Sequence, residues 1–253
     1  MNFFTACALG FAALGAPAFA ADGVDLLLVA PDDATLQPLL DELGDARRET
    51  HAAWTFWLGD LAGHRVALTH TDRDPLNAVA ATTLALRRHP PRLVFVFGPA
   101  RAHDPALQRG DVVVATAFAA FDGMVSPVAA LGEKSRPLQW RKLPHLLMTA
   151  GEKETPRESF PADVTAAQRA LALDWPHGRV TAGMLGSAPQ INREADRIAY
   201  LRSQWQTSSE DGESAHVAGC ATLFGVPVAG ARVIDGTPAE AAAFARRFVE
   251  AWR

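Results

Sequence analysis

The run Arg92-Leu93-Val94-Phe95-Val96-Phe97 is stopped by Pro90-Pro91 before it and by Gly98-Pro99 after it. Five apolar residues in succession, mostly β-branched or aromatic, read as a strand, and a strand without polar alternation has no face to give to water. Both faces must be covered, which calls for helices on each side of a sheet. Residues 24–30 repeat the signal and feed Leu36, Leu39, Leu40 and Leu43, spaced i, i+3, i+4, i+7 as on one face of a helix. Asp33 is placed to cap that helix, Pro38 falls in or near its first turn, and Gly44 closes it.

The alternation recurs along the chain. A strand at 65–69 leads through the polar turn Thr71-Asp72-Arg73-Asp74 to a helix from Pro75 to Arg88. Strands follow at 111–115, 179–185 and 226–234, and helices at 193–205 and 214–224. The closing helix opens on Thr237-Pro238-Ala239-Glu240, a capping box with Pro at the first helical position, and carries Phe244, Phe248 and Trp252 as its apolar stripe. This pattern predicts an α/β fold: a single domain over residues 21–253 with a mainly parallel mixed sheet flanked by helices. Between 122 and 178 the pattern loosens and only 164–173 reads as a helix, so this stretch is expected to be a divergent insertion or lid.

Residues 3–20 are uncharged and apolar, end in Pro17-Ala18-Phe19-Ala20, and are too short to span a bilayer comfortably. They resemble a secretory signal peptide cleaved after Ala20, although no Lys or Arg precedes the apolar run, and they predict a secreted or periplasmic protein with no membrane span once they are removed. Cleavage would remove Cys7 and leave Cys220 as a single thiol, expected to be a small core residue. A disulfide framework is disfavoured, no His and Cys cluster has zinc-ligand spacing, and no metal or organic cofactor is indicated. Lys and Arg total 24 against 28 Asp and Glu, for a net charge of −4, which argues against a nucleic-acid partner.

In an open α/β sheet, ligands lie beyond the carboxyl ends of the strands. Those positions hold Asp32 and Asp33, residues 71–74, Gly98 to Arg101, and Asp235-Gly236, with Asp211 and Glu213 just before a helix. Several carboxylates converging on one cleft suit acid–base work. Each has a structural alternative: Asp33 as a helix cap, Asp211 as a cap or solvated turn, Asp235 as the head of an Asp-Gly turn. Glu213 enters an otherwise apolar, small-residue helix, so its face is expected to be buried. His103 reads as a surface residue and His216 as a satisfied buried one.

Three stretches together resemble the purine and uridine phosphorylase superfamily, and most closely its methylthioadenosine/S-adenosylhomocysteine nucleosidase branch. They are Leu107-Gln108-Arg109-Gly110-Asp111-Val112-Val113-Val114, the acidic signature Asp211-Gly212-Glu213-Ser214, and Gly225-Val226-Pro227 through Arg232-Val233-Ile234-Asp235. The resemblance implies that Glu213 holds the ribose hydroxyls and that Asp235, one position early, protonates the departing base. The family's water-activating Glu aligns with Thr35, so Asp32 or Asp33 is the candidate base. Asp211, Gly98, Arg101, Gln190 and Ile191 complete the substrate-binding candidates; Gln190 aligns with the residue that stacks on the base, and Ala188 with the acid that reads adenine. The floor is expected to be crowded by Asp72-Arg73-Asp74, whose acids would repel a phosphate.

The resemblance thus implies a hydrolase of the N-ribosyl bond of a purine-type nucleoside, with a small-molecule nucleoside as partner and a homodimer as the family's common assembly, and the signal-like residues 3–20 add the expectation that it is exported. The alternative is a catalytically lapsed periplasmic protein that binds a nucleoside or a partner on the same scaffold.

Overall fold

A computed structural model describes residues 23–148 and 155–253 of the chain; the segment read as a signal lies outside the described residues. The double coverage demanded by the apolar strands is met residue by residue. In β1 (Val24–Ala30), Leu26 and Leu28 join the core under α1 (Asp33–Leu40) and α6 (Pro238–Ala251). Leu27 and Val29 point the other way, to α2 (Pro75–Arg88) and α5 (Ser214–Leu223). All four are fully buried, and each contributes roughly 1.5–3 kcal/mol of transfer free energy. The first core is anchored by Phe95 stacked on Phe248, with ring centroids 3.9 Å apart.

Next come β2 (Gly44–His51), β3 (Trp54–Leu61), β4 (His64–His70), β5 (Pro91–Ala102) and β6 (Val112–Ala120). The stretch expected to be a lid holds two small paired ribbons, β7 (Met124–Val125) with β8 (Arg141–Lys142) and β9 (His145–Leu147) with β10 (Thr155–Arg157). Its later part belongs to the main body: β11 (Phe160–Pro161) pairs with β6, and α3 (Val164–Leu171) buries Ala166 and Ala170 in the first core. β12 (Val180–Ser187), α4 (Ala195–Trp205), β13 (Thr207–Asp211) and β14 (Val228–Ile234) complete the fold.

The sheet is mixed: β1 runs parallel to β4 and β5, β14 parallel to β5, and β12 parallel to β6 and β13, while β3 is antiparallel to β2 and β4. β5 is long enough to pair with β14 from Val94 to Ala100 and, antiparallel, with β13 at Arg101 and Ala102. Because β14 also pairs with β6, the strands β5, β14, β6, β12 and β13 close on themselves. The carboxyl ends of β5, β12, β13 and β14 therefore meet around one opening. Among the described residues no helix is long and apolar enough to cross a membrane.

Several expected boundaries move for physical reasons. Asp32, not Asp33, caps α1, because its extended backbone lets its carboxylate accept the Thr35 N–H at 2.9 Å. Gly44 does not close α1, which ends at Leu40; it opens β2, half of an edge hairpin with β3 whose exposed polar residues carry no strand periodicity. Gly98 to Arg101 is not a turn, since β5 runs through it, paired to β14 on one side and reached by β13 at Arg101. β13 was invisible as a strand because Thr207-Ser208-Ser209-Glu210-Asp211 holds no apolar residue.

Candidate active site

A cavity of about 450 Å³ occupies the opening, lined by the ends of β5 and β14, the loop after β12, and the bend between β13 and α5. Its buried centre is Arg232, in a strand whose every residue is buried. Arg232 Nη2 donates to Glu213 Oε1 at 2.7 Å, and Nε lies 3.1 Å from Asp211 Oδ2. Two carboxylates around one guanidinium meet the demand that a buried cation be paired. Nη1 is left without a hydrogen-bond partner.

Gly98 explains how so large a side chain fits there. It stands opposite Arg232 in the parallel register, and a Cβ on it would overlap Arg232 Nη1 and press on the Pro31 ring at 2.9 Å. Gly98 thus shapes the site from beneath and does not itself line the cavity.

Asp211 is spent on structure. Oδ1 accepts the N–H groups of Glu213 at 2.8 Å and Ser214 at 2.7 Å, capping α5, and also the Ser187 hydroxyl at 2.9 Å. Oδ2 takes the Ser214 hydroxyl. Glu213 is different: it is 1% exposed, one oxygen is held by Arg232, and the residue faces the cavity. Burial raises its carboxyl above the usual range, the Arg232 charge opposes that, and Asp211 adds to it.

Asp235 and Gly236 also line the cavity. The strand ends at Ile234, and Asp235 takes a left-handed backbone (φ 45°) with its N–H on the Ala100 carbonyl at 2.8 Å. The one-residue displacement of this acid therefore falls in the turn, where Asp tolerates such a conformation, and leaves the strand's facing pattern intact. The Asp235 side chain is exposed at the cavity edge.

Neither candidate base reaches the lining. Asp32 Oδ1 is bound by the Thr35 N–H and by the Thr35 hydroxyl at 2.7 Å, and Oδ2 by Arg73 Nε at 2.9 Å. Burial pushes the Asp32 carboxyl up, but these hydrogen bonds outweigh it and hold it below the ordinary range. Asp33 is exposed and pairs with His70 at 3.0 Å. Thr35 is fully buried beneath Asp32. The expected crowding of the floor is also reduced, since of residues 72–74 only Arg73 lines the cavity. Asp74 caps α2 through Leu76 and Asn77 N–H groups, and Asp72 pairs with His70.

Gln190 and Ile191 do line it, with Ile191 67% exposed, so the loop after β12 offers an apolar wall; Arg101 stands on another side. That loop is fixed by a buried group that sequence reasoning did not single out. Glu210 accepts the Asn192 N–H at 3.1 Å and its amide at 2.7 Å, and meets His103 Nε2 at 3.0 Å. His103, expected at the surface, is 3% exposed and bonds Thr207 Oγ1 through Nδ1 at 2.7 Å. Burial raises the Glu210 carboxyl, yet the hydrogen bonds from His103 and Asn192 prevail and lower it. His216 pairs with Asp122 at 3.1 Å away from the cavity, and Cys220 is a buried core thiol.

The phosphorylase superfamily profile matches residues 25–252. A 5′-methylthioadenosine/S-adenosylhomocysteine nucleosidase of Bacillus thuringiensis is 40% identical over 78 residues, 31% of this chain and 34% of that protein, so this match spans about a third of the relative. The nucleosidase of the same name from a Marinomonas species is 26% identical over 184 residues, covering 72% of this chain and 73% of its own. Among solved structures, the Neisseria meningitidis nucleosidase in complex with methylthio-immucillin-A superposes with a TM-score of 0.73 at 18% identity, covering 89% of this chain and 98% of that one. The futalosine hydrolase of Helicobacter pylori gives 0.71 at 18% identity over 89% and 97%.

Proposed function

Because the chain belongs to the phosphorylase superfamily, we propose that it is an exported nucleosidase that hydrolyses the N-ribosyl bond of a purine-type nucleoside. The observation that carries this reading is Glu213: a carboxylate shut off from water, held at one oxygen by Arg232 and facing a cavity of nucleoside size. Vicinal ribose hydroxyls are the donors that such an acceptor needs, and charge-assisted hydrogen bonds of this kind are the strong ones. Nucleosidases as relatives and as structural neighbours support the reaction class.

Cleavage passes through a ribosyl cation, so it requires a proton for the leaving base and a negative field at the sugar. Asp235 is the carboxyl at the cavity edge that can deliver the proton to a base seated against it and the Ile191 wall. Glu213, together with Asp211, supplies the field. Water adds to the ribosyl cation and loses its proton to bulk water without a dedicated base, since Asp32 is saturated by Thr35 and Arg73. Hydrolysis is preferred to phosphorolysis because Asp74 already occupies the N–H groups that an anion would take at the start of α2. Incubating the protein with purine nucleosides, with and without phosphate, tests this: free base with ribose is expected, and ribose phosphate would contradict it.

The same Asp32 geometry favours a second reading, a scaffold that binds nucleosides without turning them over. Tight binding with no base release would select it. Export rests on residues 3–20, and the amino terminus of protein recovered from cells, expected after Ala20, tests it.

A further inference from the structure

Away from the cleft, one cluster of ligating side chains is assembled from distant parts of the chain. Glu49 and His51 are two residues apart on β2, so they share a face of the strand, and His89 closes α2. Glu49 Oε2 lies 3.3 Å from His51 Nε2 and 3.3 Å from His89 Nε2, and the three ligand atoms all fall within 4.8 Å of one another. Tetrahedral zinc with ligands at about 2.0–2.1 Å sets neighbouring ligand atoms about 3.3–3.4 Å apart. Two of the three edges already have that length.

A second observation points the same way. The His89 side chain is 8% exposed, and its Nε2 has no hydrogen-bond partner although Glu49 Oε2 is close. A buried nitrogen aimed past its neighbour is left unsatisfied unless something sits between them. The Phe56 ring packs beside both imidazoles, 6.0 Å from His51 and 6.1 Å from His89 between centroids, and restrains them.

We propose that Glu49, His51 and His89 bind one divalent transition-metal ion of zinc type through Oε2 and the two Nε2 atoms, leaving the fourth position to water. Two imidazoles and a carboxylate suit zinc among common biological cations. Arg47 takes the other Glu49 oxygen at 2.8 Å and stays 65% exposed, so it need not be displaced. Bound metal would clip the edge strand β2 to the end of α2. None of the three residues lines the cleft, so the site stands or falls independently of the nucleosidase reading.

The test is titration of tag-free, chelator-treated protein with zinc chloride against a chromophoric competitor, followed by cobalt substitution. One equivalent of zinc, a zinc-dependent rise in melting temperature and a visible cobalt band of tetrahedral type are expected. Glu49→Gln and His51→Ala, both at partly exposed positions, should each weaken zinc binding at least about tenfold with unchanged circular dichroism. They keep the test decisive even where His89→Ala fails to fold. Absence of binding by the wild type, or unchanged affinity in Glu49→Gln and His51→Ala, would overturn the proposal.

Discussion

Arg232 Nη2 meets Glu213 Oε1 at 2.7 Å with both side chains closed to water, 0% and 1% exposed. The pair fixes one oxygen of the acid and directs the residue at the cavity, so Glu213 works as an acceptor only while Arg232 holds it.

Replacing Glu213 by Gln keeps the shape and removes the charge. We expect binding of a nucleoside to weaken by about 1.5–3 kcal/mol while binding of the free base changes little, because only the sugar hydroxyls lose a charge-assisted acceptor. Calorimetry with matched nucleoside and base reads the difference; equal losses would remove Glu213 from the sugar subsite.

Gly98→Ala tests the support beneath the pair. Its new Cβ meets Arg232 Nη1 and Pro31, and Arg232 is too buried and too firmly paired to swing aside. Overpacking of this kind costs about 1–3 kcal/mol. The variant should lose that much in urea denaturation and bind nucleosides more weakly than wild type; wild-type stability and affinity would show that Arg232 is not confined.

His103 and Glu210 form a buried pair, 0% and 6% exposed at their side chains. Removing one partner strands the other, so His103→Leu and Glu210→Leu should each cost about 3–5 kcal/mol, and the double variant clearly less than their sum. Glu210→Leu should also weaken ligand binding, because Asn192 and the loop before it lose their anchor. Strict additivity would show that the pair is not coupled.

The lowered Glu210 carboxyl also sets a pH dependence. Its folded value lies below the ordinary 4.5, so its contribution is present above that value and is lost as the pH falls through the folded one. Glu213, raised instead, works in the opposite sense, its ionisation costing stability as the pH rises from 4.5 through its folded value. Denaturation midpoints of Glu210→Gln should therefore fall less steeply than wild type below pH 4.5, and those of Glu213→Gln should decline less above it.

The strands buried on both faces were legible because Leu26 to Val29 and Leu93 to Phe97 can be satisfied only by helices on both sides. The capping box at Thr237 was legible because it is local, and the structure forms it through Glu240. What could not be read is polar structure whose partners arrive from elsewhere. β13 is buried by its place between β12 and β5, not by its side chains. His103 finds Glu210 from 107 residues away, and His89, at the end of α2, meets Glu49 of the edge strand β2 only in the folded chain. The choice of Asp32 over Asp33 as cap turned on one backbone conformation that neighbouring acids do not reveal.

Whether Asp235 is the general acid is read from base release by Asp235→Asn beside the wild type, followed by chromatography on a purine nucleoside that calorimetry shows both proteins to bind. Amide and carboxyl have the same outline, but only the carboxyl delivers a proton, and general acid catalysis is worth roughly 10²–10⁴ in rate. Wild type is expected to free the base, and Asp235→Asn to bind the nucleoside but release base at least about 100-fold more slowly. Wild type that binds without releasing base would overturn the nucleosidase reading, and Asp235→Asn that releases base at the wild-type rate would remove Asp235 as the general acid.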